Sequence, residues 1–125
     1  MKVVILGILF VLMCAGMALG VEQHISGCKT SGWVSGTVYY LDNDIWGVSG
    51  TCMDPGDNID DITIDCQGHT INGQGNNYAI DLYYNDNVIV RNCTLDHFDY
   101  GIRARRMNGG NITIHNNYIT NQDVN

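Results

Sequence analysis

Three segments decide the fold: Ile62-Thr63-Ile64-Asp65-Cys66, Val88-Ile89-Val90-Arg91-Asn92 and Ile112-Thr113-Ile114-His115-Asn116. Each runs apolar, x, apolar, polar, and then a small or polar residue. Their starts lie 26 and 24 residues apart. A second apolar position follows each one, at Ile71, Leu95 and Ile119, spaced 24 and 24. A third recurs as Ile80-Asp81-Leu82 and Ile102-Arg103-Ala104, 22 apart. An earlier copy is read at Val38-Tyr39-Tyr40-Leu41, with Val38 lying 24 before Ile62. Alternation with period two means strand, one face in and one face out. Three short strands recurring every ~24 residues, with Gly, Asn and Asp between them, predict a solenoid of coiled parallel sheet.

Stacked turns would bury Ile62, Val88 and Ile112 as one column, and Ile64, Val90 and Ile114 as another. Asn92 and Asn116 fall two residues after Val90 and Ile114, with Cys66 in the equivalent place. Asn there tolerates left-handed backbone and can hydrogen-bond from rung to rung. The competing architecture is an antiparallel sandwich, which needs hairpin turns rather than a fixed three-strand period.

Composition agrees. The chain has 125 residues, 15 Gly, 14 Asn and one Pro. That length bounds it to one small domain. Apolar content of 45% excludes a fully disordered chain. With 13 acids against 6 bases the net charge is −7. This argues against a nucleic-acid binder and against attraction to anionic lipid.

Residues 1–20 stand apart. Met1-Lys2 is a short basic start, Val3 to Met13 is continuously apolar, and Ala18-Leu19-Gly20 offers a small-x-small site. This is the layout of a secretory signal peptide, with Val21 as the mature N-terminus. An uncleaved anchor is the alternative, since 18 apolar residues just reach across a bilayer. Met13 before Cys14 speaks against a lipidation motif. After cleavage no membrane span remains, and the expected location is secreted or cell surface.

Cys28, Cys52, Cys66 and Cys93 then remain, an even set in an exported chain, and read as disulfides. Gaps of 24 and 27 approximate one rung, which favours Cys28–Cys52 and Cys66–Cys93 on adjacent turns. Cys52–Cys66 is the other pairing considered, and four buried thiols the non-bonded reading. No CxxC or zinc-module spacing is present.

The stretch Asp61-Ile62-Thr63-Ile64-Asp65-Cys66-Gln67-Gly68-His69-Thr70-Ile71-Asn72-Gly73 resembles a rung of right-handed parallel β-helix repeat proteins. So do Asn87-Val88-Ile89-Val90-Arg91-Asn92-Cys93-Thr94-Leu95 and Tyr100-Gly101-Ile102. The resemblance is to the pectin-lyase-like superfamily, in its branch of carbohydrate-binding, sugar-hydrolase and NosD-like repeats. Gly36-Thr37-Val38-Tyr39-Tyr40-Leu41, Asp44-Ile45 and Thr51-Cys52 resemble the leading segment of exported microbial, notably archaeal, members. It covers about residues 25–122. It implies an all-β, right-handed parallel β-helix. It implies no single activity, because unrelated chemistries share this scaffold.

Candidate chemistry is sparse. Asp96, His97 and Asp99 form the best catalytic set, two carboxylates beside a His for acid and base roles in glycoside cleavage. A turn between strands accounts for the same residues. Asp65 with Gln67-Gly68-His69 is a second polar knot, read as a structural bend. Within the resemblance, lyases stack several Asp with an Arg base, and hydrolases carry an Asp-Asp pair on a strand. Asp60-Asp61 is the sole Asp pair and precedes a strand. Arg103, Arg105 and Arg106 are the one basic cluster, with Arg103 and Arg105 outward. Together with Tyr100 they are glycan-binding candidates, as a clamp for carboxylates. The plain alternative is a solvated strand facing Asp81. Trp33 and Trp46 suit either sugar stacking or capping of the open core. His24, His69, His97 and His115 share no ligand spacing, so no metal and no cofactor is expected, copper included. Of the sequons at Asn92 and Asn111, only Asn111 is expected to be accessible.

The organisation expected is therefore a signal peptide over 1–20, a leading cap segment over 21–59 holding a first rung, and β-helix rungs over 60–125. No cap follows Ile119, so further rungs of a longer protein are expected as partners, alongside extracellular polysaccharide or cell-surface components. Two functional classes stand. One is a structural or glycan-binding surface module without an assembled catalytic site. The other is the N-terminal part of a polysaccharide lyase or glycoside hydrolase whose catalytic rungs lie beyond residue 125.

Overall fold

Alternating side chains become a wall only if strands stack in register, and the computed structural model shows that stacking. It describes residues 21–122. The signal-peptide and anchor readings of residues 1–20, Cys14 included, lie outside the described residues. The strands are β1 (Val21–Ile25), β2 (Thr37–Leu41), β3 (Ile45–Val48), β4 (Thr63–Asp65), β5 (Thr70–Gly73) and β6 (Tyr78–Tyr83). They continue as β7 (Val88–Arg91), β8 (Thr94–Asp96), β9 (Tyr100–Arg105), β10 (Ile112–His115) and β11 (Tyr118–Thr120). No helix occurs among the described residues. The protein is an all-β parallel solenoid of about three turns.

Three parallel ladders make its faces. The first runs β1-β2-β4-β7-β10, the second β11-β8-β5-β3, and the third β6-β9. Single bridges Lys29–Met53 and Met53–Ile80 carry the third ladder back towards the N-terminus. Register follows the repeat: Ile64 opposite Val90, Val90 opposite Ile114, Ile71 opposite Leu95, Leu95 opposite Ile119, and Ile80 opposite Ile102. Consecutive connections are parallel crossovers, so the sandwich alternative does not apply.

The core is a tube. Ile62, Ile64, Ile71, Ile80, Leu82, Val88, Val90, Leu95 and Phe98 are all buried. Phe98 enters from a corner rather than a strand. It fits because Gly73 lies on its ring: a Cβ there would stand 2.8 Å from Phe98 and would also strike the His97 carbonyl. Corners are tight, and many hold left-handed backbone. Gln67, Asn92 and Asn116 have φ of 52°, 57° and 55°. Asn85, fully buried in another corner, is satisfied by donating to the Gly56 and Ile59 carbonyls and accepting from the Tyr83 N–H.

Four sequence expectations need correction. The N-terminal copy is shifted by one residue. Tyr39, not Tyr40, aligns with the inward Ile64, and Val38 falls opposite Thr63 rather than Ile62. Thr37, Tyr39 and Leu41 therefore point inward and are buried, while Val38 and Tyr40 are only half-buried. The spacing here is 25, not 24, and a one-residue slip exchanges the faces of a strand. Second, Ile114 is in its column but 48% exposed, because β10 forms the end of the described ladder. Third, the rung-to-rung bond at the Asn corner runs from Asn92 Nδ2 to Asp65 Oδ1 at 3.1 Å rather than from one Asn to the next. Cys66 does not take the left-handed place either; the longer corner gives that to Gln67. Fourth, Trp33 caps the core, buried against Tyr39 at 4.4 Å, but Trp46 is 67% exposed.

Both expected disulfides form, Cys28–Cys52 and Cys66–Cys93, with Cα separations of 4.6 and 4.8 Å. Adjacent parallel strands sit at this distance, so the stack itself brings the cysteines together. Closing such loops stabilises by about 3 kcal/mol each. A thiol reagent applied to the native, unreduced protein should therefore leave these four cysteines unmodified. Full labelling before reduction would contradict it.

Candidate functional site

A strand at one rung sets its outward residues directly above those of the next, so each face is a set of short columns. On the first ladder Tyr40, Asp65, Arg91 and His115 share one outward column. Asp65 holds its corner together. It accepts from Arg91 Nε at 2.8 Å, from the Gln67 N–H at 2.8 Å and from Asn92 Nδ2 at 3.1 Å. Burial pushes its carboxyl up, but these donors outweigh burial and hold it below the usual carboxylate value. Arg91 and Asp65 are thus committed to each other.

Beside this column the corner opens into a groove of about 560 Å³. Its floor and walls come from Tyr40, Asp65, the Gln67-Gly68 corner, Asn92, Thr94 and the Asn116-Asn117-Tyr118 corner. Asn117 is a fixed part of the wall. Its Oδ1 accepts from the Cys93 N–H at 2.9 Å, and its Nδ2 donates to the Val90 carbonyl at 2.9 Å. The Cys66–Cys93 disulfide ties two of these corners covalently. The groove therefore offers side-chain amides, a hydroxyl and two tyrosine rings on a rigid frame, a combination that reads hydroxyl-rich ligands.

The catalytic candidates do not converge on that groove. Asp96 lies on the outward face of the second ladder, accepting from Asn72 and Asn121, each at 2.9 Å. His97 Nδ1 stands 2.9 Å from it. Burial raises the Asp96 carboxyl, while hydrogen bonds from His97, Asn121 and Asn72 bring it below the ordinary value. A carboxyl so held is an ionised acceptor at neutral pH rather than a proton donor. Asp99 accepts from the Asn77 N–H at 3.1 Å in the next corner.

The glycan candidates occupy the third ladder. Arg103 pairs with Asp81 through one guanidinium edge, Nε at 2.8 Å together with Nη2, donates from Nη1 to the Tyr78 hydroxyl, and lies 3.5 Å over the Tyr78 ring. Its outward charge is spent within the sheet. Tyr100 stacks on Tyr78 at 5.8 Å and keeps half of its surface exposed. Arg105 is exposed, 5.0 Å over Tyr83. Asn111 is exposed at a corner, whereas the Asn92 amide is engaged with Asp65.

The histidines are dispersed. His24 Nδ1 meets Asp42 at 2.8 Å, and His69 Nδ1 meets Asp44 at 3.1 Å. The His24 hydrogen bond lowers the Asp42 carboxyl, and the Thr70 N–H, then His69, lowers that of Asp44. Among the described residues no group of three or more His, Cys, Asp or Glu side chains is placed to hold a metal ion.

Sequence reasoning missed Asn117 and Tyr118 as groove residues. They stand after an apolar strand, as turn residues do, and only the stacking reveals that they face Gln67 and Tyr40. No known protein-family model, curated protein or solved structure matches this chain.

Proposed function

We propose that this chain is an exported or cell-surface solenoid module that binds a neutral glycan in the groove between Tyr40 and Tyr118. The observation that carries the reading is the lining itself: the amide of Asn116, the amide oxygens of Gln67 and Asn92, whose nitrogens are held by Leu41, Asp42 and Asp65, the Thr94 hydroxyl and two tyrosine rings on a disulfide-tied frame. Sugar hydroxyls pair with such amides, and the apolar faces of pyranose rings pack on tyrosine. The disulfides fit an oxidising compartment, and the signal-like segment over 1–20 fits export. The resemblance to pectin-lyase-like carbohydrate-binding repeats points the same way.

Screening immobilised neutral oligosaccharides, followed by titration calorimetry, tests it. Tyr118 is 65% exposed, so Tyr118→Ala should leave melting unchanged. It should weaken glycan binding by about tenfold, as removal of an aromatic anchor does. Absence of binding by any neutral glycan, or an affinity indifferent to Tyr118→Ala, would reject this reading.

A further inference from the structure

The chain is acidic, so an unneutralised cation on it is conspicuous. Among the described Lys and Arg residues, Arg91 is paired with Asp65 and Arg103 with Asp81. Lys29 lies near the Trp33 and Tyr39 rings. Arg105 and Arg106 remain, consecutive and exposed, with no carboxylate within ion-pair distance among the described residues.

Consecutive strand residues point to opposite faces, yet these two do not diverge. Arg106 has a left-handed φ of 54°, and both guanidinium groups come over the Tyr83 ring, at 5.0 and 5.9 Å. The corner column containing Arg106 is Asn58, Tyr84, Arg106, with φ of 59°, 53° and 54°. Backbone bonds from Asn58 N to the Tyr84 carbonyl and from Tyr84 N to the Arg105 carbonyl hold it in line. Asn accepts this conformation readily, but Tyr and Arg adopt it only at a cost. That cost is accepted at the two rungs where it gathers two guanidinium groups and a phenol. Arg106 Nη1 reaches the Tyr84 hydroxyl at 3.4 Å, which leaves that hydroxyl's own proton free to donate.

We infer that Arg105, Arg106 and Tyr84 form a binding site for a tetrahedral oxyanion, a phosphate or sulfate ester borne on a surface saccharide. One guanidinium fork saturates a carboxylate. Two forks and a hydroxyl exceed that, and match an anion with three or more free oxygens. The Tyr83 ring within cation–π reach of both guanidinium groups restrains them and so reduces what is lost on binding. The site shares no residue with the groove lining, so it stands or falls independently of the neutral-glycan reading.

Titration calorimetry on the full chain with its disulfides oxidised tests this. The probes are glucose 6-phosphate, glucose 6-sulfate, inorganic phosphate, glucose as the neutral control, and phosphatidylglycerol vesicles. The sugar esters should bind more tightly than glucose, and that added affinity should fall as salt is raised. R105Q/R106Q should lose about tenfold or more in affinity, the worth of charge-assisted hydrogen bonds. R105K/R106K should lose nearly as much, because it keeps charge but not the forks. Heat from inorganic phosphate with the same dependence on both arginines supports the oxyanion site and assigns it to the free ion. Equal binding by wild type and R105Q/R106Q overturns the inference, as does full retention by R105K/R106K. Binding to vesicles alone, or no heat from any probe, also overturns it.

Discussion

Val90→Asp should unfold the solenoid, whereas Thr63→Asp should scarcely affect it. Val90 lies in the middle of the first ladder, between Ile64 and Ile114, and is fully buried. Its neighbours inside the tube are apolar, so the introduced carboxylate would find no cation there. Leaving a charge buried and unpaired costs about 3–5 kcal/mol. Domains of this size are stable by about 5–15 kcal/mol, so the loss removes much or all of the margin. Thr63 is also on the first ladder, opposite Ile89, but points outward and is half-buried. A carboxylate there stays in water and should cost about 1 kcal/mol or less, the usual range of strand propensities. Urea denaturation followed by far-ultraviolet circular dichroism reads both. Equal midpoints for the two variants would show that the faces are assigned the wrong way round.

That contrast was legible in the sequence because Ile62-Thr63-Ile64 and Val88-Ile89-Val90 carry the inward pattern unaided. The disulfide pairs were legible for the same reason, since a gap near one rung places two cysteines on neighbouring turns. The N-terminal rung was not, because Thr37, Tyr39 and Leu41 are less regular than Ile-x-Ile. Val38 offered a better apolar match one residue away. Trp46 misled similarly: an aromatic near the start of a stack suits a cap, yet β3 carries a register irregularity between Ile45 and Val48, with Gly47 at φ 69°, and Trp46 within it is exposed while Trp33 is buried. Site residues were least legible. Asp96, His97 and Asp99 attract notice as adjacent acids and a base, but each corner spends them on backbone and amide donors. The groove draws on residues 40, 65, 67, 92, 94, 116, 117 and 118, which meet only through the stacking of four rungs. No local window contains them.

The second large effect is association. Residues 21–125 produced alone should form oligomers whose size grows with concentration. β10 and β11 end their ladders among the described strands, each with one edge unpaired. Ile114 continues the column of Ile64 and Val90, and Ile119 that of Ile71 and Leu95. The earlier members are fully buried, while Ile114 is 48% and Ile119 43% exposed. An apolar surface bordered by free backbone donors and acceptors is a template for another strand of the same kind. At the opposite end β1 also has an unpaired edge, with Val21 54% exposed. A contact between the two different ends repeats without closing, so the product should be a ladder of sizes rather than a dimer. A further rung laid on β10 would occupy the same surface and suppress the effect. Ile114→Lys with Ile119→Lys should return the protein to a monomer, because edge lysines oppose strand addition and both sites already reach water. Light scattering across a concentration series distinguishes the outcomes. A wild-type monomer at every concentration would show that this end of the stack is satisfied as it stands.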